Sequence, residues 1–358
     1  MRLRSNSLMP LMLSLSLFAL AGCDALFTAP SPGGESSGKQ DQTTPDVTDP
    51  AKPTTTYMYV MNGMSQTIDE INLKTLEMTP NVMETGLYPN DIVTQGVITY
   101  VVNSGDNNIT KLDLRARKKL DTFDLATGTN PMTVTFLDNG TALINNLLTS
   151  SLTFLNLATK QSDGDFQLPT EGAPSFSPGV VNSKAYVPVD KWSKGQVVYS
   201  AIHVVNLANR QLIKTLDLPV DANPSNVAVD PSGKVWVGVK GGLVKIDPAT
   251  DTIAQTVSLA SQVNAVQFLS ATKGYASVDG GLVSFNPTTG AVLRDVSDKI
   301  AADNSWGAFK IFNGVGYVSD FGKNTVTVID LVTEAASGSP IPVGGDGAQD
   351  LTFVTVED

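Results

Sequence analysis

Chemistry in this chain has few residues to work with: 358 positions hold one histidine, one cysteine and three tryptophans. His203 sits in Ala201-Ile202-His203-Val204-Val205, an apolar strand-like run. A Ser-His-Asp relay would rest on that one residue, whose surroundings suit a core side chain. The single Cys23 allows no disulfide within the chain and no His/Cys metal cluster. Aromatic and cationic residues gather instead in Pro188 to Ser200 (PVDKWSKGQVVYS), which holds Lys191, Trp192, Lys194 and Tyr199. Tyr88, Trp306 and Phe321 fall in comparable loops. Aromatic faces beside cations suit sugars and peptide side chains; the competing reading packs these rings against the fold. A further set, Asp91, Asn226, Asn264 and Asp350, recurs at one position per repeat, together with Thr133, Phe176 and Gly307. Its carboxylates and amides could hold Ca2+ through oxygen, yet small polar residues line a water-filled channel without any ion. The expectation is no catalytic set, no metal and no cofactor.

The elements that must position these residues are short strands. Asn223 to Leu259 is the most regular stretch. Asn226 to Asp230 alternates around Val227 and Val229, and Asp230-Pro231-Ser232-Gly233 has turn chemistry. Val235 to Val239 is a second strand, Gly241-Gly242 a two-residue hairpin turn, Leu243 to Asp247 a third strand, and Thr252 to Leu259 a fourth. The second strand, centred on Trp236, has counterparts at Tyr59, Tyr100, Leu143, Tyr186, Tyr275 and Tyr317, at intervals of 41, 43, 43, 50, 39 and 42 residues in chain order. The interval of 50 contains the Trp192 insertion. The third strand ends seven times in Asp or Asn: Asn72, Asp113, Asn156, Asn206, Asp247, Asn286 and Asp330. Their side chains suit turns, accepting backbone N–H groups two residues on.

Two landmarks sharing one period predict an all-β fold, a seven-bladed β-propeller with four-stranded blades. Separate 43-residue sheets could not bury a core alone. The phase predicts that Gln349 to Val356 completes the sheet begun by the N-terminal three strands and closes the ring. The propeller is expected over residues 55–358 as a monomer. The set around Trp192 then lies on one face, and the basic run Arg115-Ala-Arg-Lys-Lys119 on the other, as a solvated turn or a contact with anionic lipid or polymer.

Residues 1–22 read as a signal peptide: Arg2 and Arg4, then an apolar stretch from Leu8 to Ala21 too short to span a bilayer as a stable helix. Leu20-Ala21-Gly22-Cys23 resembles a bacterial lipobox, which implies cleavage before Cys23 and acylation of that residue. Two or three acyl chains hold a protein on a membrane where one is marginal. Residues 23–54, rich in Pro, Gly, Ser and Thr, read as a flexible tether reaching roughly 30 Å. The formal charge of −11 becomes −13 once Arg2 and Arg4 are removed, which argues against nucleic acid.

Tyr317-Val-Ser-Asp-Phe-Gly-Lys-Asn-Thr-Val-Thr-Val-Ile-Asp330 resembles the signature of the YVTN-repeat β-propellers, and Tyr100-Val-Val-Asn103 with Asn108 to Asp113 is similar. The repeats around Leu143 and Tyr186 depart from it. The resemblance implies a mostly non-enzymatic protein of the bacterial or archaeal envelope and supplies no shared catalytic residues. The reading is a lipid-anchored protein, facing the periplasm or cell exterior, that binds a protein or polysaccharide partner. A structural surface-layer component and a Ca2+-dependent lactonase-like hydrolase are the alternatives.

Overall fold

Alternation in these strands buries both faces at once. The computed structural model describes residues 53–137, 140–169, 172–304 and 307–357; Cys23, the signal segment, nearly all of the tether and Trp306 lie outside them. The described chain is all-β, arranged as a β-propeller, apart from one turn of 3-10 helix at Val296–Asp298. The first sheet joins Thr54–Asn62, Thr67–Asn72 and Met78–Glu84 with the C-terminal Ala348–Glu357. The last strand pairs antiparallel with the first, Tyr57 opposite Val354 and Val60 opposite Leu351. The second sheet is Pro89–Gln95, Ile98–Asn103, Asn108–Asp113 and Lys118–Asp124; the third is Pro131–Phe136, Thr141–Asn146, Ser151–Asn156 and Gln161–Gln167. The fourth comprises Gly179–Val181, Lys184–Ser193, Gln196–Asn206 and Gln211–Asp217.

The remaining sheets depart from the expected four strands. The fifth has seven, because Thr252–Ser270 is continuous: its first half pairs with Val235–Asp247 and its second half with Lys273–Val278. The strand continues through Leu259 to Val263, with Ala260 at a φ of 52°, so the chain passes from one pairing to the next without a loop. The sixth has five strands, two of them the two-residue pieces Ala335–Ala336 and Ile341–Pro342. Val235–Asp247 is likewise a single element where two strands were expected. Its Gly241 and Gly242 hold φ of 91° and 151°, and a side chain at Gly242 would run into the Val257 carbonyl, so glycine is required there.

Seven apolar clusters lie between successive layers of sheet. Tyr59 and Met61 face Ile92, Val101 and Leu112 of the second sheet. Met58 and Val60, on the opposite face, pack with Tyr317, Val326 and Leu351. All four of these first-strand residues are fully buried; each such side chain contributes on the order of 1.5–3 kcal/mol. The seven anchor residues from Tyr59 to Tyr317 are all buried. Each third-strand Asp or Asn accepts backbone N–H groups in its turn, as Asn72 does from Lys74 (2.9 Å) and Asp330 from Val332 (2.8 Å).

Candidate functional site

First strands begin and second strands end at the same edge of each sheet, here called the mouth. In the fourth sheet the two central strands run past that edge as a β-hairpin. Lys191 lies opposite Tyr199 and Trp192 opposite Val197, and the ladder shifts register between Lys191 and Trp192. Such a bulge re-aims side chains. Lys194 and Gly195 turn the hairpin with φ of 51° and 78°, as a two-residue connection requires. The insertion is thus an ordered extension of the sheet.

Trp192 is 38% exposed, and its indole N–H donates to Asp190 Oδ2 at 2.7 Å. The ring is held in place while part of the residue stays open to solvent. Asp190, a residue the sequence reading passed over, is buried, and its second carboxylate oxygen has no hydrogen-bond partner. Burial pushes its carboxyl up to about 6, against the lowering effect of the indole and a backbone N–H. Its own backbone bridges Ala173 in both directions.

Tyr88 is exposed at the mouth with φ of 50°, but it belongs to the loop entering the second sheet, away from the hairpin of the fourth. Phe321 is half-buried against Gly347 and Met64. Packing therefore claims Phe321, whereas Trp192 and Tyr88 remain available.

The channel ring brings Asp91 and Asp350 together, though not as a metal cradle. Asp91 Oδ2 accepts from Val134 N (2.9 Å), and Asp350 Oδ2 accepts from Ile92 N (3.2 Å), so each carboxylate reaches the backbone of the next sheet. Lys310 Nζ stands 3.1 Å from Asp350 Oδ1, where a cation would otherwise sit. Burial and the neighbouring Asp350 raise the Asp91 carboxyl well above the usual range. Asn226 is buried and Asn264 half-buried. Among the described residues no group of three or more His, Cys, Asp or Glu side chains is placed to hold a metal. Lys310, which sequence reasoning missed, lies one sheet from Asp350 and carried no motif.

His203 is buried with Nδ1 3.1 Å from Thr215 Oγ1. Burial pushes it down to about 4, so the ring is neutral near pH 7. The basic run divides at the opposite edge. Arg115 bonds Glu70 at 2.6 Å and lies 3.6 Å from the centre of the Tyr57 ring, joining the second sheet to the first rather than offering a free cation to lipid.

The architecture defines the class: a β-propeller. No family model matches the chain, and no curated protein matches it. Among solved structures, a protein from Lactobacillus plantarum is similar at 14% identity, with a TM-score of 0.66, over 84% of this chain and all of that one. A candidate 6-phosphogluconolactonase from Bacteroides fragilis is similar at 17% identity, TM-score 0.62, over 87% of this chain and all of its own. Apo AztD from Citrobacter koseri matches at 14% identity, TM-score 0.55, over 85% of this chain and 98% of that one. These likenesses share the fold.

Proposed function

We propose that the chain is a lipid-anchored, extracytoplasmic propeller of the YVTN-repeat type that binds a protein or polysaccharide partner at the cell envelope through its mouth. The observation that carries this reading is the fourth-sheet hairpin, which holds Trp192 rigid and half exposed. Rigid aromatics are favoured anchors at interfaces. In-cell crosslinking from position 198, exposed on the same hairpin, should capture one dominant partner, and Trp192→Ala with Lys191→Ala should abolish that capture. Undiminished capture by the double variant removes the hairpin from the interface. Anchoring at Cys23 is tested separately: Cys23→Ser should shift the protein from the membrane fraction to the soluble one.

The ring is proposed to have seven blades. Support comes from Thr252–Ser270, whose two halves pair in different directions as the outer strand of one blade and the inner strand of the next. The pairing of Ala348–Glu357 with Thr54–Asn62 supports closure. A Ca2+-dependent lactonase-type hydrolase is the alternative that the Bacteroides fragilis likeness keeps in view. Lys310 against Asp350 weighs against it. Calorimetric titration with Ca2+ decides the matter, since heat of binding together with a raised melting temperature would favour the hydrolase.

A further inference from the structure

We infer that the Asp190–Trp192 pair is a recognition site for a primary ammonium group, presented by a lysine side chain of a protein partner. This rests on the reading of the hairpin as the binding surface and narrows what is bound there.

Asp190 is 2% exposed, and the indole N–H of Trp192 satisfies only one of its two carboxylate oxygens. A buried acceptor left unmade costs free energy that a donor from outside would recover. An ammonium group supplies N–H donors and a positive charge, and the adjoining indole face attracts the same charge through its quadrupole. Carboxylate plus half-exposed tryptophan is therefore matched to a cation and mismatched to phosphate, sulfate or uronate groups. The indole N–H acts as an internal donor on Oδ2, which leaves Oδ1 for the guest. The bulge between Lys191 and Trp192 leaves Val198 of the facing strand without a ladder partner beside that pair.

The surrounding charges are few. Lys191 and Lys194 stand on the same hairpin. The loop held to Ser200, opposite Asp190 in the ladder, carries Asp221, itself bonded to Lys240 at 2.6 Å. Residues 172–178 on the other side carry no charge. The overall formal charge of −11 favours approach of a cationic surface.

The test titrates the folded protein with N-acetyl-lysine methylamide and follows tryptophan fluorescence, with N-acetyl-norleucine methylamide as the uncharged isostere. Binding by the lysine probe, absent for norleucine, is expected to weaken about ten- to hundredfold in Asp190→Asn, the loss of one charge-assisted hydrogen bond. It should also weaken as pH falls below about 6, because the carboxylate must be ionised. Asp190→Asn keeps an acceptor for the indole, so a folded variant is available for the comparison. Equal binding of the norleucine probe, or unaltered lysine binding in Asp190→Asn, overturns the inference. So does the absence of lysine binding while neutral oligosaccharides bind. Loss of partner capture in Trp192→Ala without any lysine binding would sink the ammonium site yet leave the hairpin as the interface. Retained capture would sink both.

Discussion

The two edges of these sheets are built to different rules. At the edge opposite the mouth, charged groups meet across neighbouring sheets and satisfy one another. Glu334 accepts from Lys273 (2.5 Å), Arg294 Nε (2.9 Å) and Tyr275 OH (3.2 Å). Lys184 bonds Asp251 at 2.6 Å, and the Tyr186 hydroxyl donates to the same carboxylate. At the mouth, buried oxygens of Asn62, Asp91, Thr133, Asn146, Asp190 and Asp320 have no partner. A fold tends to complete its polar contacts where only stability is at stake. Incomplete ones collect where something else is to be met. The difference agrees with the proposal of binding at the mouth and cohesion at the turns.

Pairing of the last strand with the first underlies both edges, and breaking it carries the largest expected effect. Removal of residues 348–358 uncovers Met58 and Val60 and unstacks Phe353 from Phe312, whose rings lie 4.3 Å apart. It also leaves Thr54–Asn62 as an unpaired edge. The loss should approach the whole folding free energy, on the order of 5–15 kcal/mol. A cooperative thermal melt in the truncated protein would show that the C-terminal strand is dispensable.

Next in size is Lys310→Met, which strips the one cation from the Asp350 and Asp91 carboxylates. Uncompensated buried charge costs roughly 3 kcal/mol at pH 7. Urea denaturation should show that loss shrinking as the pH is lowered, because protonation then relieves the carboxylates. Independently of it, His203 should make the parent lose stability with acid. Its folded pKa, about 4 against an ordinary 6.5, means the unfolded chain takes up the proton first. Stability contributed by the neutral ring is present above 6.5 and lost between 6.5 and 4, on the order of 3 kcal/mol.

Asp190→Asn should do the reverse and raise stability. An acid whose folded pKa lies at about 6 is disfavoured by the fold when ionised. Replacing it by a neutral amide removes about 2 to 3 kcal/mol of cost above pH 6. The gain fades as pH falls from 6 towards the ordinary value of 3.8. Melting temperatures at pH 7.5 and pH 4 check the sign. A variant that melts higher but binds the lysine probe worse would tie the unsatisfied carboxylate to function. Lower stability at pH 7.5 would show that the charge is held by a partner in the fold.

Much of this architecture was legible because spacing is a one-dimensional property. The anchors from Tyr59 to Tyr317 and the Asp or Asn ending each third strand lie where the period put them, since each obeys a local rule of alternation or of turn formation. The unbroken Thr252–Ser270 was not legible, because nothing local marks a strand that serves two neighbours. Asp190 and Lys310 escaped for a different reason. Their roles come from burial and from a contact one sheet away, and neither carries a residue pattern. The ring position was half readable: the meeting of Asp91 with Asp350 follows from their shared place in the repeat, while the backbone N–H groups that occupy them belong to other sheets.

The smallest effect separates two residues that looked alike in sequence, and it tests cohesion at the turn edge. Arg115 and Arg117 share one basic run. Arg115 is two-thirds buried at its side chain, bonds Glu70 at 2.6 Å and stacks on Tyr57, whereas Arg117 is 53% exposed and 3.9 Å from the same carboxylate. Arg115→Ala removes a short ion pair, a cation–π contact and the 3.3 Å hydrogen bond to Tyr59 OH, and should cost about 1 kcal/mol after allowance for solvent screening. Arg117→Ala should fall within about 0.5 kcal/mol of the parent. Salt offers the sharper discrimination. Between low ionic strength and 1 M, where the screening length drops to about 3 Å, the Arg117 contribution should vanish and most of the Arg115 contribution persist. Equal and fully screened losses from both would mean that the run is a solvated turn after all, and that the sheets are held at this edge by their apolar faces alone.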